Sequence, residues 1–365
     1  MNRRSFIKLG SGAMMLSTMA HGVRAEEKAK VPDFAKGAEE MEPVLKDVEV
    51  LANDAIKGNT ASFFIDDTIW VMRDLTRQRP KSLFDNPFLK PLKECHDRYG
   101  LKLQLNLFYR TDFFYGMDEF TLADMTDAYK AEWQANKDWL KLGFHSLQEF
   151  PDYPWINIDY ADVKKLFGMI HGQIERFAGE GVFTTALVPH WCPMSKDGCR
   201  ALKDCGVKIM ECSVGPRYRY DGKRERLPYG HAFRLEQNRK PEVGFYWRDS
   251  RDAAIMSSIC SYNHISAEQW KRTVNSRRYV LDHDTGMRFK NMFGDAPVLN
   301  LVDVPTLRSD TAALIGREHL IFSNHEQYFY RDYLAYQPDY AEKLRVMSKM
   351  MQESGYPFIL MEELV

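Results

Sequence analysis

The chain has 365 residues, of which 44% are hydrophobic and 28% are charged, and its formal net charge is −1. This composition excludes an intrinsically disordered chain and a membrane protein with many spans. Because 50 basic residues balance 51 acidic ones, general binding to nucleic acid or to anionic membranes is not expected. We therefore predict a globular protein.

Residues 1–25 have the composition of an export signal. Arg3 and Arg4 precede Phe6 and Lys8, and a short, weakly apolar run ends in small residues before Glu26. The run is too short to span a bilayer, and its order is that of a twin-arginine signal. We predict export to the periplasm or beyond. Removal of this segment takes away four basic and no acidic residues, which changes the net charge from −1 to −5.

Residues 26–59 are predicted to form a tether that includes a helix near 37–57. After residue 60, apolar β-type runs alternate with helical stretches. The predicted strands are 61–65, 101–108, 142–144, 182–188, 207–212, 253–260, 298–302, 320–323 and 358–361. The predicted helices are 87–99, 122–140, 161–178, 196–204, 267–273 and 340–354. This alternation indicates an α/β fold with parallel strands. A single distorted (β/α) barrel of about seven strands over 60–365 is favoured over an open sheet.

Polar side chains follow four of the predicted strands. These are Asp66 and Asp67 after the first strand, His145 and Glu149 after the third, His190 and Trp191 after the fourth, and His325 after the penultimate strand. Sites in barrels lie at the carboxyl ends of the strands, so we expect these side chains to converge. Structural histidines and a solvated Asp-Asp turn remain the alternative interpretation.

Asp67, His145 and Glu149 are the predicted ligands of one divalent metal ion. If the chain turns helical after His145, Glu149 lies one turn later on the same face. One imidazole and two carboxylates suit zinc first, and also admit Mn, Co, Ni or Mg. Asp66 is then the predicted general base and His325 the predicted acid. A polar cluster that holds no metal is the alternative.

A carbohydrate is the predicted partner, with His190, Trp191 and Arg110 as substrate contacts. Residues 215–240 contain eight basic and three acidic residues interleaved with aromatic ones. Such a segment suits an anionic polysaccharide, because guanidinium groups pair with carboxylates or sulfates. Export argues against nucleic acid as the partner. A solvated loop or hairpin explains the same segment equally well.

The order of these motifs resembles that of the polysaccharide deacetylases, the NodB-like carbohydrate esterases. It runs from Asp66-Asp67, through His145-Ser146, to His325 and the closing stretch 355–364. The resemblance implies a distorted (β/α) barrel and metal-dependent removal of acetyl groups from sugars. It also implies Asp66 as base, Asp67 and His145 as metal ligands, and His325 as acid.

Three positions depart from the pattern of that family. Thr68 stands where the family has glycine, and Glu149 stands where it has its second metal histidine. The fourth strand leads to His190 without the arginine that orients the base, so His190 could serve as a ligand or an orienter. Two alternatives remain open: a glycoside hydrolase that pairs Asp66 with Glu326 or Asp112, and a non-catalytic glycan-binding protein.

Overall fold

The computed structural model describes residues 48–111, 119–149, 154–155, 158–191, 194–212, 272–291, 296–333 and 335–365. The predicted signal at 1–25, the predicted strand 253–260, the basic segment 215–240 and Asp112 lie outside the described residues.

Strands and helices alternate along most of the described chain. The strands are β1 (Val48–Ala52), β2 (Thr60–Thr68), β3 (Leu103–Phe108), β4 (Leu140–Ser146), β5 (Ala186–Leu187), β6 (Ile209–Cys212), β7 (Arg278–Asp282), β8 (Arg288–Asn291) and β9 (His319–His325). The α-helices are α1 (Trp70–Gln78), α2 (Leu89–Tyr99), α3 (Lys130–Asn136), α4 (Tyr160–Phe177), α5 (Lys196–Asp204), α6 (Val304–Leu314) and α7 (Tyr340–Glu353).

Two sheets together provide seven adjacent parallel strands. One sheet has the order β4-β3-β2-β9 and is parallel throughout. The other has the order β1-β7-β8-β6-β5, in which β5, β6 and β8 are parallel and β1 and β7 are antiparallel. A parallel bridge between Leu142 and Phe183 joins β4 to the segment that leads into β5. The parallel series is therefore β8-β6-β5-β4-β3-β2-β9, which confirms the predicted α/β class and strand number.

A small apolar cluster fills the interior of the barrel, and its side chains come from several strands. Phe64 of β2 packs there with residues of β5, β6 and β9, among them Ala186, Ile209 and Ile321. Its neighbours Phe63 and Ile65 belong instead to the larger core beneath the helices. Successive side chains of a strand point to opposite faces, so Asp66, two residues after Phe64, begins on the interior side at the carboxyl end of β2.

Three predicted elements were wrong, and the predicted helix 122–140 was too long, because only Lys130–Asn136 is α-helical and β4 begins at Leu140. The predicted strand 358–361 contributes a single bridge from Phe358 to Ala61 and then turns as a 3-10 helix over Met361–Leu364. Within the predicted helix near 37–57, residues 48–52 form the strand β1 instead, which pairs with β7. The alternating Val-Glu-Val sequence of β1 is typical of a half-buried strand. The predicted strand 298–302 contributes a single bridge from Val298 to Ser323 and then turns as a 3-10 helix over Leu299–Leu301. None of the helices in the described part of the chain is both long and apolar enough to cross a membrane.

Candidate metal centre

The candidate centre begins where β2 loses its regular register. The pairing of β2 with β3 shifts between Ile65 and Thr68, and Asp67 has a left-handed backbone with φ of 58°. Residues other than glycine adopt this conformation at a cost, and such strain is concentrated at functional sites. The irregularity lets both Asp66 and Asp67 serve one site, although an ideal strand would direct them to opposite faces.

Three buried side chains converge on this point: Asp67, His145 and His190. His145 Nε2 lies 3.1 Å from Asp67 Oδ1, His190 Nδ1 lies 3.2 Å from Asp67 Oδ1, and the two ring nitrogens are 3.1 Å apart. Around an ion about 2.1 Å from each ligand, donor atoms are separated by roughly 3.0 Å in octahedral and roughly 3.4 Å in tetrahedral geometry. The triangle therefore has the size of one face of a metal coordination shell.

The outer nitrogen of each imidazole is committed to a backbone carbonyl. His145 Nδ1 donates to the Val188 carbonyl at 2.6 Å, and His190 Nε2 donates to the Glu149 carbonyl at 3.0 Å. These bonds leave lone pairs on the two inner nitrogens, which is the usual outer-shell arrangement of metal-ligating histidines. Three lone-pair donors this close together require a cation between them, so the donor set fits a divalent metal ion.

The charges around the triangle favour the same conclusion. Burial opposes ionisation of Asp67, but hydrogen bonds to His145 and His190 hold the pKa of this carboxyl well below its usual value. Burial lowers the pKa of His145, yet the carboxylates of Asp66 and Asp67 outweigh that effect and raise it. The two carboxylates that raise the pKa of His145 would equally stabilise a metal cation between these donors.

The third donor is His190 rather than the predicted Glu149. β4 ends at Ser146 and residues 147–149 form bends instead of a helix, so the helical spacing on which the Glu149 prediction rested is absent. Glu149 is buried and lines a small cleft beside Asp67. The donor set changes from one imidazole and two carboxylates to two imidazoles and one carboxylate.

Asp66 is held by an amide that the sequence analysis did not identify. Asn106 Nδ2 donates to Asp66 Oδ1 at 2.7 Å, and Gln104 Nε2 donates to Asn106 Oδ1 at 2.8 Å. Burial raises the pKa of Asp66 above its usual value, although His145 and His325 counteract it. The sequence of β3, Leu-Gln-Leu-Asn-Leu-Phe, contains the pattern that could have indicated this contact. Its two polar residues, Gln104 and Asn106, alternate with apolar ones and so both face the barrel interior.

Gly143 on β4 makes room for this amide. A Cβ atom at that position would lie 2.8 Å from Asn106 Oδ1 and 2.9 Å from Thr184 Cγ2. Both distances are shorter than carbon atoms tolerate. Glycine is therefore required at 143 for Asn106 to reach Asp66.

His325 stands opposite Asp66 in the sheet, since the two residues are paired in the register of β2 and β9. Its Nδ1 lies 2.9 Å from Asn300 Oδ1, and we assign the proton to Nδ1 because an amide oxygen accepts. The Asn300 carbonyl accepts from Gln337 Nε2 at 2.6 Å, and Gln337 Oε1 accepts from Lys343 Nζ at 2.7 Å. A buried polar chain thus fixes the ring through its Nδ1 atom.

Two residues that follow His325 have structural roles. Gln327 Nε2 donates to Asp67 Oδ2 at 2.7 Å and so orients that carboxylate; the sequence analysis missed it. Glu326 accepts from the N–H groups of Ile69, Trp70 and Val71 at 2.7, 2.8 and 2.6 Å and caps the start of α1. Both of its oxygens are thereby engaged, so Glu326 is not the catalytic partner that the glycoside hydrolase alternative requires.

One of the predicted substrate contacts lines the cleft. Arg110 lines it together with Asp67 and Glu149, and its guanidinium donates to the side chain of Gln148. Trp191 has a left-handed backbone with φ of 62° and its ring centroid lies 6.0 Å from that of His190. A role of Arg110 and Trp191 as substrate contacts stays a prediction, whereas His190 is one of the three candidate metal donors.

Comparison with family models finds no match, and no curated protein matches the chain. Solved structures do match its fold, and CE4 family proteins are among them. The chain is similar to a CE4 family pseudoenzyme from Bacillus anthracis, at 11% identity and a TM-score of 0.40, over 84% of this chain and 66% of that one. It is similar to a 4-alpha-glucanotransferase from Thermococcus litoralis, at 10% identity and a TM-score of 0.46, over 85% of this chain and 40% of that one.

A third similar structure is a family 4 acetyl xylan esterase from Clostridium thermocellum in complex with a cobalt ion. The identity is 11% and the TM-score 0.40, over 84% of this chain and 90% of that one. The chain spans less than two thirds of the length of the pseudoenzyme and of the glucanotransferase. The chemistry of the candidate centre is therefore inferred from the side chains of this chain alone, and not from those of the similar structures.

Proposed function

We propose that the protein is a metal-dependent hydrolase that removes acetyl groups from a carbohydrate. The observation that carries this proposal is the triangle of Asp67, His145 and His190. Its three donor atoms face one another, and the outer nitrogen of each imidazole donates its proton away from the triangle, to a backbone carbonyl. Beside it stand a buried carboxyl group, Asp66, and a fixed imidazole, His325. An acyl-transfer hydrolase needs these three components: a metal site, a base and an acid.

Asp67, His145 and His190 would hold the ion. When bound, a divalent ion polarises a carbonyl group and lowers the pKa of a water molecule. Two imidazoles and one carboxylate suit zinc, with Co, Ni and Mn as alternatives, and they suit Mg less well because Mg prefers oxygen ligands.

Asp66 would accept the proton of the attacking water. Asn106 holds its Oδ1 atom, whereas its Oδ2 atom makes no hydrogen bond with the described residues, so one oxygen positions the group and the other takes the proton. Burial raises the pKa of this carboxyl, which makes it a stronger base than an exposed aspartate.

His325 would protonate the leaving oxygen or nitrogen. Because Nδ1 donates to Asn300, the ring presents Nε2 to the leaving group. The pairing of residue 325 with Asp66 in the register of β2 and β9 supports a role for both side chains at one acetyl group, with Asp66 as the base and His325 as the acid.

We also propose an anionic glycan as the substrate. Arg110 at the cleft supports this, as does the basic and aromatic composition of residues 215–240. Guanidinium groups bind carboxylates or sulfates with two parallel hydrogen bonds. A comparison of acetylated neutral glycans with acetylated uronate glycans tests the proposal, and equal kcat/KM values for the two would contradict it.

Export through the twin-arginine pathway is a further proposal. It is supported by the sequence order of residues 1–25, which places Arg3 and Arg4 ahead of the apolar run. Replacement of both by lysine is expected to leave the protein in the cytoplasm as an uncleaved precursor. Normal export of that variant would contradict the proposal.

Product analysis tests the proposed reaction. The purified protein is incubated with acetylated glycans, and both free acetate and the chain length of the product are measured, with and without a chelator. Acetate release from intact chains that stops on chelation and returns with added zinc or cobalt is the expected result. Shortened chains without acetate would indicate a glycoside hydrolase instead, and no change in the substrates would contradict the proposal.

A further inference from the structure

Gln327 contacts the candidate metal centre from the segment that follows β9. It belongs to the 3-10 helix Glu326–Phe329, is 2% exposed, and lines the cleft beside Asp67. Its Nε2 atom donates to Asp67 Oδ2 at 2.7 Å. Hydrogen bonds to an ionised acceptor are among the stronger ones in proteins. An amide group of this chain therefore holds one of the two carboxylate oxygens of Asp67.

The two oxygen atoms of Asp67 have different surroundings. Oδ1 belongs to the donor triangle, since it lies 3.1 Å from His145 Nε2 and 3.2 Å from His190 Nδ1. Oδ2 instead accepts from Gln327. A carboxylate that gives both oxygens to one ion has to turn both of them toward it. The bond to Gln327 opposes that rotation, so Asp67 offers the triangle one oxygen.

The position of Gln327 is fixed by the backbone around it. Its neighbour Glu326 accepts from three backbone N–H groups at the start of α1, just after Asp67, at 2.7, 2.8 and 2.6 Å. On the other side, the register of β2 and β9 pairs His325 with Asp66. Backbone contacts on both sides therefore hold the amide of Gln327 against Asp67.

The number of protein donor atoms decides what a bound ion can do. A catalytic ion needs positions that the protein leaves open for water or substrate. Asp67, His145 and His190 supply three donor atoms if Asp67 gives only Oδ1. A second oxygen from Asp67 would fill a position that the proposed reaction needs. The hydrogen bond from Gln327 opposes this loss.

We infer that Gln327 is a positioning residue that limits Asp67 to one donor oxygen, and that it thereby keeps coordination positions of the bound ion open. Glutamine suits this role because its amide donates to Oδ2 without adding charge. Glutamate accepts only when it is ionised and would repel Asp67, and an apolar side chain would leave Oδ2 without this partner. The inference rests on the metal site of the proposed function and makes no use of its acid or its base.

Cobalt titration of the purified full chain tests the inference without any substrate. Metal-free protein is titrated with Co²⁺ in competition with a chelator, and the visible spectrum of the bound ion is recorded. Gln327→Met keeps the length of the side chain and removes the amide. We expect its Co²⁺ affinity to fall about tenfold to a hundredfold. We also expect weaker visible bands, because the bands of Co²⁺ lose intensity as its coordination number rises.

Two further variants make the test decisive. Gln327→Asn retains the amide but is one methylene group shorter, so it should show the same changes, and it serves as the second test if Gln327→Met does not fold. Gln78→Met, at the exposed end of α1, is the matched control and should bind Co²⁺ like the wild type. The inference is overturned if the folded Gln327 variants show the visible bands of the wild type, whether or not their affinity is lower.

The outcomes separate this inference from the proposed function. A wild type that binds no Co²⁺ contradicts both. A wild type that binds Co²⁺ but releases no acetate contradicts the proposed reaction alone. Wild-type bands in the Gln327 variants, together with acetate release by the wild type, contradict the inference alone.

Discussion

Asn106 donates a hydrogen bond of 2.7 Å to Asp66 Oδ1, and the same oxygen lies 3.8 Å from Nδ1 of His145, one of the candidate metal donors. Asn106 is fully buried and is itself held by Gln104. This amide orients the Asp66 carboxyl group without an added positive charge.

Replacement of Asn106 by leucine should therefore slow the reaction without removing the metal ion. Leucine has a similar volume but cannot donate, so Asp66 loses its orientation. We expect kcat to fall about tenfold or more, with KM and the metal content unchanged, since a hydrogen bond to a charged group is worth about 1.5–3 kcal/mol. Steady-state kinetics and metal analysis of the same sample provide the check. An unchanged kcat would show that Asn106 does not position the base.

The space at Gly143 gives a second prediction. Gly143→Ala places a methyl group 2.8 Å from Asn106 Oδ1, so we expect a loss of about 1–3 kcal/mol in the free energy of unfolding, together with a lower kcat. Gly168→Ala is the matched control, because a Cβ atom there meets nothing within 4 Å and alanine favours the helix. Equal stability of the two variants, measured by urea unfolding, would refute the steric explanation.

The carboxylate of Glu326 should be a major stabilising group. It accepts three backbone N–H groups at the start of α1, and Glu326→Ala leaves them buried without an acceptor. We expect the free energy of unfolding to fall by about 3 kcal/mol or more. Glu180→Ala, at an exposed turn, is the control and should change it by less than about 0.5 kcal/mol. A loss as small as that of the control would mean that Glu326 has another role.

His319 gives a prediction for the pH dependence of stability. This residue lies at the opposite end of β9 from the metal centre, is fully buried, and shares a 2.8 Å hydrogen bond with Thr60 Oγ1. Burial, together with Lys290 and Arg277, holds its pKa well below the usual value. The folded state keeps His319 neutral, so below about pH 6.5 only the unfolded chain takes up the proton.

The stability contributed by neutral His319 is therefore present above about pH 6.5 and is lost as the pH falls, by up to about 1.4 kcal/mol per pH unit. His319→Asn should reduce this slope, whereas His171→Asn, on the outer surface of α4, should keep it. Urea unfolding at several pH values between about 5 and 7 measures the difference. Identical slopes in the wild type and the His319 variant would contradict the assignment.

Part of the centre could be predicted from the sequence because parallel strands end at one edge of the barrel. Asp66, Asp67, His145 and His325 each follow an apolar run, and that position alone predicts convergence. Glu149 could not be excluded in this way, since its assignment depended on a helix that does not form after Ser146.

The supporting residues were harder to predict. Asn106 alternates with apolar residues in β3, but its partner Asp66 lies on β2, and only the sheet order shows that these two strands are neighbours. Asn300 was assigned to a strand, although the chain turns there and brings its side chain to His325. Gln327 reaches Asp67 only because β2 and β9 are neighbours. Contacts of this kind depend on tertiary packing, which a single sequence does not specify.

The metal content of three proteins tests the central claim most directly. The wild type, His190→Ala and Glu149→Gln are purified under identical conditions, and bound metals are measured by mass spectrometry, with circular dichroism to confirm folding. We predict about one divalent ion per chain in the wild type and in Glu149→Gln, and a large loss in His190→Ala. No ion in the wild type, or an ion retained without His190 and lost without Glu149, would contradict the assignment of the metal centre to Asp67, His145 and His190.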